Sequence, residues 1–352
     1  MRKDAGNHLG WLDSLRGIGC FIVMIAHIVA YAPEIGVYAS GCGKIGVWLF
    51  MLISGFLVLR EEKKFSFCDL KNYYINRILR IYPSFLIALI LGLALGLFNG
   101  EDLRDMLFFR SAWHHFWYMP VIIVFSLIAP VFRLFYSFVR DRFTNSKLIM
   151  ASILIVGIVA FSFLFPFTSY PENSIEIKWY LPVFMIGMLL ALLETVLSGM
   201  KKKRMDLLAL IGMIMIIIET PFMREVLWGI PPSGYLQNKY LYMACAWSLV
   251  FVGLMGGEVC RKVLEKCRVL QYIGSISYEV YLFHYPILVF FTINGLLGSP
   301  LIRGIVTVVG AIGISVLVKE LLKLFHQCKR LIQLSAVCIY YGLLLVGSGL
   351  FR

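Results

Sequence analysis

The sequence is short of charge, and of negative charge most of all. Only 15% of its 352 residues are Asp, Glu, Lys or Arg, and 20 acidic side chains face 33 basic ones. A soluble chain carries about a quarter charged residues and shorter apolar runs. Here 60% of residues are hydrophobic and mean hydropathy is +0.83, which excludes an ordinary soluble domain. Metal-binding cysteine patterns are also missing. Cys20, Cys42, Cys68, Cys245, Cys260, Cys267, Cys328 and Cys338 form no CxxC or Cys/His cluster, so scattered free thiols and no metal are expected. No GxxxxGK[ST] loop is present, and Gly17-Ile18-Gly19 lacks the strand and the third glycine of a dinucleotide fingerprint. Short alternating strands are absent, which argues against a transmembrane barrel. No internal repeat, low-complexity tract or second soluble domain is visible.

What is present are apolar runs that approach or exceed the roughly 20 residues needed to cross a bilayer. The expected fold is an all-α polytopic transmembrane bundle of about 10–11 helices. The spans are placed at 12–32, 44–59, 81–98, 115–134, 148–166, 179–197, 206–220, 240–256, 272–293, 302–322 and 332–350. The first segment, Trp11–Tyr31, lacks a small-residue cleavage site and reads as a retained helix rather than a signal peptide. Basic residues concentrate in alternate connections: Glu61–Arg80, Arg140–Lys147, Lys201–Arg204, Arg261–Arg268 and Lys323–Arg330. The opposite connections carry only scattered charges such as Lys44, Arg104, Arg110, Lys178, Arg224 and Lys239. That alternation is the positive-inside pattern and places the N-terminus in the cytoplasm. The net charge of +13 is therefore a topology signal that also favours anionic lipid headgroups, and it needs no nucleic acid. The two longest outer connections, 220–239 and 167–178, are positioned to cap an external cavity.

Arg16 and His27 lie inside the first span, where ionisable groups are expensive and usually functional. Eleven residues separate them, almost a whole number of helical turns, so they share a face about 16 Å apart along the axis. This spacing suits a polar channel in which Arg16 acts near the inner boundary and His27 acts deeper. Asp13, three residues before Arg16, can orient it. Snorkelling by Arg16 and helix packing by His27 account for the same residues without chemistry. A second cluster is DLKNYYINRILRIYPSF. Arg77 and Arg80 are three apart and face one side at the inner mouth of the third helix, with Lys71 able to join them through the local fold. Convergent guanidiniums suit phosphate or pyrophosphate, and positive-inside anchoring explains them equally well. Pro83 is expected within the first turn of that helix. Ser54-Gly55-Phe56 permits close helix packing.

These segments, taken in order, resemble the acyltransferase-3 family of membrane-bound acyltransferases, which modify bacterial surface glycans and related extracellular molecules. The resemblance is carried by WLDSLRGIGCFIVMIAH with Arg16 and His27, by GVWLFMLISGFLVLR (Gly46–Arg60), and by YYINRILRIYPSF with Arg77 and Arg80. HHFWYMPVIIVFSLIAP (His114–Pro130) and YIGSISYEVYLFHYPILVF (Tyr272–Phe290) are similar to later family signatures. Some branches hold an acidic residue where this chain has Val121-Ile122-Ile123-Val124, and some append a hydrolase-like extracellular domain not seen here.

The resemblance implies one transmembrane acyltransferase domain over residues 1–352 in the inner or plasma membrane. Its donor is acetyl-CoA or another acyl-CoA, entering from the cytoplasm. The acceptor is a hydroxyl of a glycan or lipid-linked glycan on the outer side. Arg77, Arg80 and Lys71 would hold the donor phosphates, and Arg16 the pantetheine or phosphate region. His27 would serve as general base, with a covalent acyl-histidine as the alternative. Tyr278 and His284 could position the acceptor or shape the channel, although hydrogen-bonded packing explains both. His114 and His115, beside Trp113 and Trp117, read as an aromatic interfacial belt. Trp228 and Tyr235 could stack on a sugar. The competing class is a transporter or flippase for a glycan or lipid precursor, weakened by the lack of an evident inverted repeat.

Overall fold

A computed structural model of the chain describes residues 9–32, 42–60, 64–108, 114–164, 177–220, 223 and 240–347. The connections expected to cap an external cavity, with Trp228 and Tyr235, lie almost entirely outside the described residues, as does Trp113. Among the described residues the regular elements are all helical. They are α1 (Gly10–Ala30), α2 (Gly43–Arg60), α3 (Phe67–Ala94), α4 (Gly100–Leu107), α5 (Tyr118–Arg142) and α6 (Ser146–Leu164). There follow α7 (Ile177–Ser198), α8 (Lys202–Ile218), α9 (Tyr240–Gly256), α10 (Val259–Lys266), α11 (Arg268–Ser275), α12 (Ser277–Ile293), α13 (Pro300–Gln327) and α14 (Arg330–Gly347). A short 3₁₀ turn, His114–Trp117, leads into α5.

Each of the eleven expected spans falls on helix over most of its described residues, but not all of them are straight rods. Among the described residues six helices are long and apolar enough to span, or eight if each bent pair counts as one span. Ser146–Ser162 and Arg330–Val346 are shorter apolar helices. The protein is thus a polytopic, all-α membrane protein. The expected inner connection 261–268 is instead an elbowed helical hairpin, because α9 turns by 89° into α10 and α11 turns by 77° into α12. The first elbow is fixed from outside the hairpin. Asp206 of α8 accepts the backbone N–H groups of Glu258, Val259 and Cys260 at 3.3, 3.1 and 3.1 Å, satisfying donors that a helix start leaves open. At the second elbow Ser277 Oγ donates to the Gly274 carbonyl at 2.9 Å.

The chain divides into two compact units, each assembled from discontinuous stretches. The first comprises Met1–Glu62, Asn145–Phe165 and Lys178–Ser277. Trp11, Phe56 and Phe251 meet edge-to-face at its centre, with ring centroids 5.3–6.5 Å apart. Trp247 Nε1 donates to the Ile45 carbonyl at 3.0 Å and ties α9 to α2. Gly55 permits the close packing expected of it: a Cβ there would overlap the Phe184 carbonyl, and one on Gly187 would overlap that of Leu52. At the end of α2, Arg60 pairs with Glu194 at 3.3 Å.

The second unit comprises Lys63–Thr144, Pro166–Ile177 and Tyr278–Arg352. Its helix α3 begins with a capping box, in which Ser66 and Asp69 satisfy each other's backbone donors. Phe85 packs on Phe116 at 5.9 Å, and Phe65 N–H donates to Ser137 Oγ at 3.1 Å. Lys64 pairs with Asp141 at 2.5 Å, and Arg330 donates to Asn72 Oδ1 at 2.9 Å. Within this unit, the connections assigned to one membrane side by charge therefore meet one another. The first unit behaves alike, since Lys202 pairs with Glu258 at 2.9 Å and Ser14 Oγ donates to the Leu264 carbonyl at 2.7 Å.

Candidate active site

Helix α1 is unbroken from Gly10 to Ala30, so Arg16 and His27 keep the separation of about 16 Å along one face. Arg16 Nη1 donates to Asp13 Oδ1 at 2.7 Å, with the two side chains 25% and 13% exposed. The guanidinium is thus oriented one turn below its own Cα, as the three-residue spacing predicts, and keeps donors for another anion. This end of α1 is clamped by the α10–α11 hairpin. Gly17 and Gly274 form the closest approach: a Cβ on Gly17 would overlap the Leu270 carbonyl, and one on Gly274 that of Asp13. Gln271 Nε2 donates to the Glu265 carbonyl at 2.6 Å, closing the hairpin beneath it.

His27 occupies the last turn of α1. It was expected deep in the span, but the helix ends three residues later, so it lies near the end opposite Arg16. The half-buried imidazole sits beside the start of α2, with Nε2 3.7 Å from where a Cβ on Gly43 would stand.

Arg77 and Arg80 lie in the second unit, and the structure alters their setting. They were expected just outside a helix starting at residue 81, yet α3 starts at Phe67 and carries both within its regular turns. At 28 residues it is about 42 Å long, well over the roughly 30 Å hydrocarbon thickness, so its basic N-terminal turns can project beyond the apolar layer. Arg77 is stacked over the Tyr73 ring at 5.3 Å. Arg80 is exposed, about 60° further around the axis. Lys71 is exposed as well, but a continuous helix sets it about 180° from Arg80, so the local fold does not bring it to the arginine face. Pro83 is not in a first turn but in the helix interior. It cannot donate to the Leu79 carbonyl, which loosens the backbone beside Arg80.

Tyr278 and His284 share α12, in that same unit. Tyr278 Oη donates to the Ile81 carbonyl at 2.8 Å, fixing α12 against the middle of α3. His284 is wholly buried, and its Nδ1 donates to the Val280 carbonyl at 3.1 Å. A carbonyl only accepts, so that nitrogen carries a proton. The aromatic-belt expectation fails for His115, which is 2% exposed. Its Nε2 donates to the Leu282 carbonyl at 3.2 Å, and its own carbonyl accepts from Tyr281 Oη at 2.6 Å. The His115 and His284 rings are 5.5 Å apart, with Tyr285 also against His115 at 4.6 Å. The 3₁₀ turn before α5 aims His115 inward, a direction invisible in a run of His and Trp.

Sequence reasoning missed Ser84 and Glu279. Ser84 is fully buried and donates to Glu279 Oε1 at 3.1 Å. The signal was available: Glu279 is the one carboxylate between Glu265 and Glu320, in a segment otherwise long and apolar. Among the described residues no three His, Cys, Asp or Glu side chains converge in a way that could hold a metal.

Two relatives share low but extended similarity with this chain. Peptidoglycan O-acetyltransferase OatA of Listeria monocytogenes is 22% identical, the alignment covering 79% of this chain and 49% of that protein. O-acetyltransferase OatA of Staphylococcus aureus is 23% identical over 80% of this chain and 51% of its own length. The chain therefore spans about half the length of the curated relatives it matches. No solved structure matches it. The family described as "Acyltransferase domain" matches residues 9–320, which takes in Arg16, His27, Arg77, Arg80, Tyr278 and His284 together, and the chain belongs to this acyltransferase-3 family.

Proposed function

We propose that this protein transfers an acyl group, acetyl in the first instance, from acyl-CoA to a hydroxyl of a cell-envelope glycan. The family match across residues 9–320 carries the reading, since it covers every residue given a role. An acceptor of the peptidoglycan class is supported by the similarity to the Listeria peptidoglycan O-acetyltransferase. The whole of residues 1–352 acts as one transmembrane acyltransferase domain, with its N-terminus cytoplasmic by the positive-inside pattern. It works in a multi-pass setting in the inner or plasma membrane.

The roles follow the residues' chemistry. Arg77 and Arg80, about 60° apart on α3, hold the donor's phosphate groups, for which guanidinium forks suit two oxygens at once. Lys71, on the other side of that helix, contributes potential rather than contact. Arg16, oriented by Asp13, takes the pantetheine or phosphate region. Neutral His27 removes the proton of the acceptor hydroxyl as its oxygen bonds to the acyl carbon. The carbon–sulfur bond then breaks, and coenzyme A leaves as a thiolate that takes up a proton. Imidazole suits this step because its ordinary pKa lies near neutrality.

The test is labelled acyl transfer in membranes, with glycan mass spectrometry of whole cells. Native protein is compared with correctly inserted His27→Ala and Arg77→Gln/Arg80→Gln. The expected result is an acetyl mass increment with native protein only, and weakened acyl-CoA binding in the arginine variant. Normal transfer by His27→Ala would remove both the base and the acyl-histidine mechanism. Movement of a solute or lipid without any acyl mark would establish the transporter alternative.

A further inference from the structure

Helix α12 carries a carboxylate whose setting the roles above do not use. Glu279 stands in the first turn of α12, half-buried, and accepts from Ser84 Oγ at 3.1 Å. Ser84 lies one turn beyond Arg80 on the same face of α3, so a group bonded to Ser84 is within reach of the Arg80 side chain. Arg80 and Lys319 of α13 both act electrostatically on this carboxylate, and Arg80 also acts on the adjacent Tyr278. Tyr278 Oη bonds to the Ile81 carbonyl at 2.8 Å and fixes the register of the two helices at this level. Three elements thus meet in the second unit: Arg80 and Ser84 from α3, Tyr278 and Glu279 from α12, and Lys319 from α13.

The geometry points to Glu279 as a positioning residue, which with Ser84 fixes the Arg80 guanidinium in the orientation that receives the phosphate groups of the acyl donor. The inference rests on the reading that Arg80 binds the donor. A guanidinium has five N–H donors in a rigid fork, so one edge can rest on a carboxylate while the other meets phosphate. An exposed arginine without such a rest loses rotamer freedom at every binding event. The carboxylate does not spoil the site for anions, because Arg80 and Lys319 both act on it and leave the cluster net positive. Ser84, itself fully buried, holds the carboxylate by a hydrogen bond from α3.

The test uses the full chain in membranes and reads initial transfer rates against acetyl-CoA concentration, with unfolding temperature measured alongside. Glu279→Gln should raise the donor KM about tenfold and leave kcat within about threefold. Arg80→Gln should do the same, and the double variant should be little worse than either single one, because both changes remove one interaction. Ser84→Ala should raise the donor KM by a smaller factor. If Arg80→Gln raises the donor KM but Glu279→Gln leaves it unchanged or lowers it, the positioning role falls and the donor reading stands. If neither variant moves it, the donor reading falls and takes this role with it. Fully additive effects, or a kcat loss at unchanged KM, would likewise overturn the role. Should Glu279→Gln fail to accumulate, Glu279→Asp and Ser84→Ala carry the same KM readout. A merely structural carboxylate would lower the unfolding temperature in these variants without touching the donor KM.

Discussion

Replacing Gly17 by alanine pits two opposed effects against each other, and the structure decides between them. In a helix interior, Gly→Ala is ordinarily favourable by up to about 1 kcal/mol, because alanine loses less backbone freedom on folding. At Gly17 the new Cβ would overlap the Leu270 carbonyl of α11, and the reciprocal change at Gly274 would overlap the Asp13 carbonyl of α1. Both obstacles are backbone, so no rotamer change relieves them and the helices must separate. Overpacking of this kind costs about 1–3 kcal/mol, which exceeds the propensity gain at most of its range. Gly17→Ala should therefore destabilise by about 1–2 kcal/mol net. Gly313→Ala in α13 is the control, because nothing lies within 4 Å of its new Cβ, and it should stabilise by up to about 1 kcal/mol. Thermal unfolding of the detergent-solubilised protein reads both, at about 2–4 °C per kcal/mol for domains of 150–250 residues. Transfer should fall only in the Gly17 variant, since Asp13 and Arg16 flank that contact. A Gly17→Ala protein as stable as Gly313→Ala would refute the claim that this helix contact sets the geometry around Arg16. Combining Gly17→Ala with Gly274→Ala should cost less than the sum, because one separation relieves both overlaps.

Two further outcomes follow from named contacts. Asp13→Asn removes a 2.7 Å charge-assisted bond between side chains 13% and 25% exposed. It should lower transfer efficiency about three- to tenfold, or about 1 kcal/mol for a partly screened bond, and unchanged kcat/KM for the donor would rule out an orienting role for Asp13. Glu258 hydrogen-bonds with Lys262 and Lys202, which hold its carboxyl down to about 2 from an ordinary 4.5. A depressed carboxylate stabilises the fold fully above about pH 4.5 and loses that contribution as pH falls toward 2. Unfolding midpoints across this window should show a slope that Glu258→Gln reduces; since the pair is solvent-exposed the effect should be small, and an identical slope in the variant would contradict it.

Much of the fold was legible because lipid imposes one-dimensional rules. A span needs a long apolar run with every backbone group bonded internally, and both demands are written along the chain. Hence each expected segment is helical, and the arginine–histidine spacing on α1 survives unchanged. Helix starts were less legible. The apolar stretch begins near residue 81, but a capping box at Ser66 and Asp69 starts α3 at Phe67, because polar turns continue a helix as readily as apolar ones. That difference moved Pro83 into the helix interior and set Lys71 opposite Arg80.

The sequence by itself determined that this is a polytopic helical membrane protein of the acyltransferase-3 family, and it named Arg16, His27, Arg77 and Arg80 as the residues to watch. Hydropathy, charge placement and motif order are properties of the chain alone and need no knowledge of neighbours. Only the tertiary structure decided that α9–α10 and α11–α12 bend, that α11 clamps α1 through Gly17 and Gly274, that His115 is buried against His284, and that Glu279 meets Ser84, one helical turn from Arg80. Each of those depends on which residues distant in the chain come within a few ångströms, and helical periodicity specifies a face without specifying what lies against it.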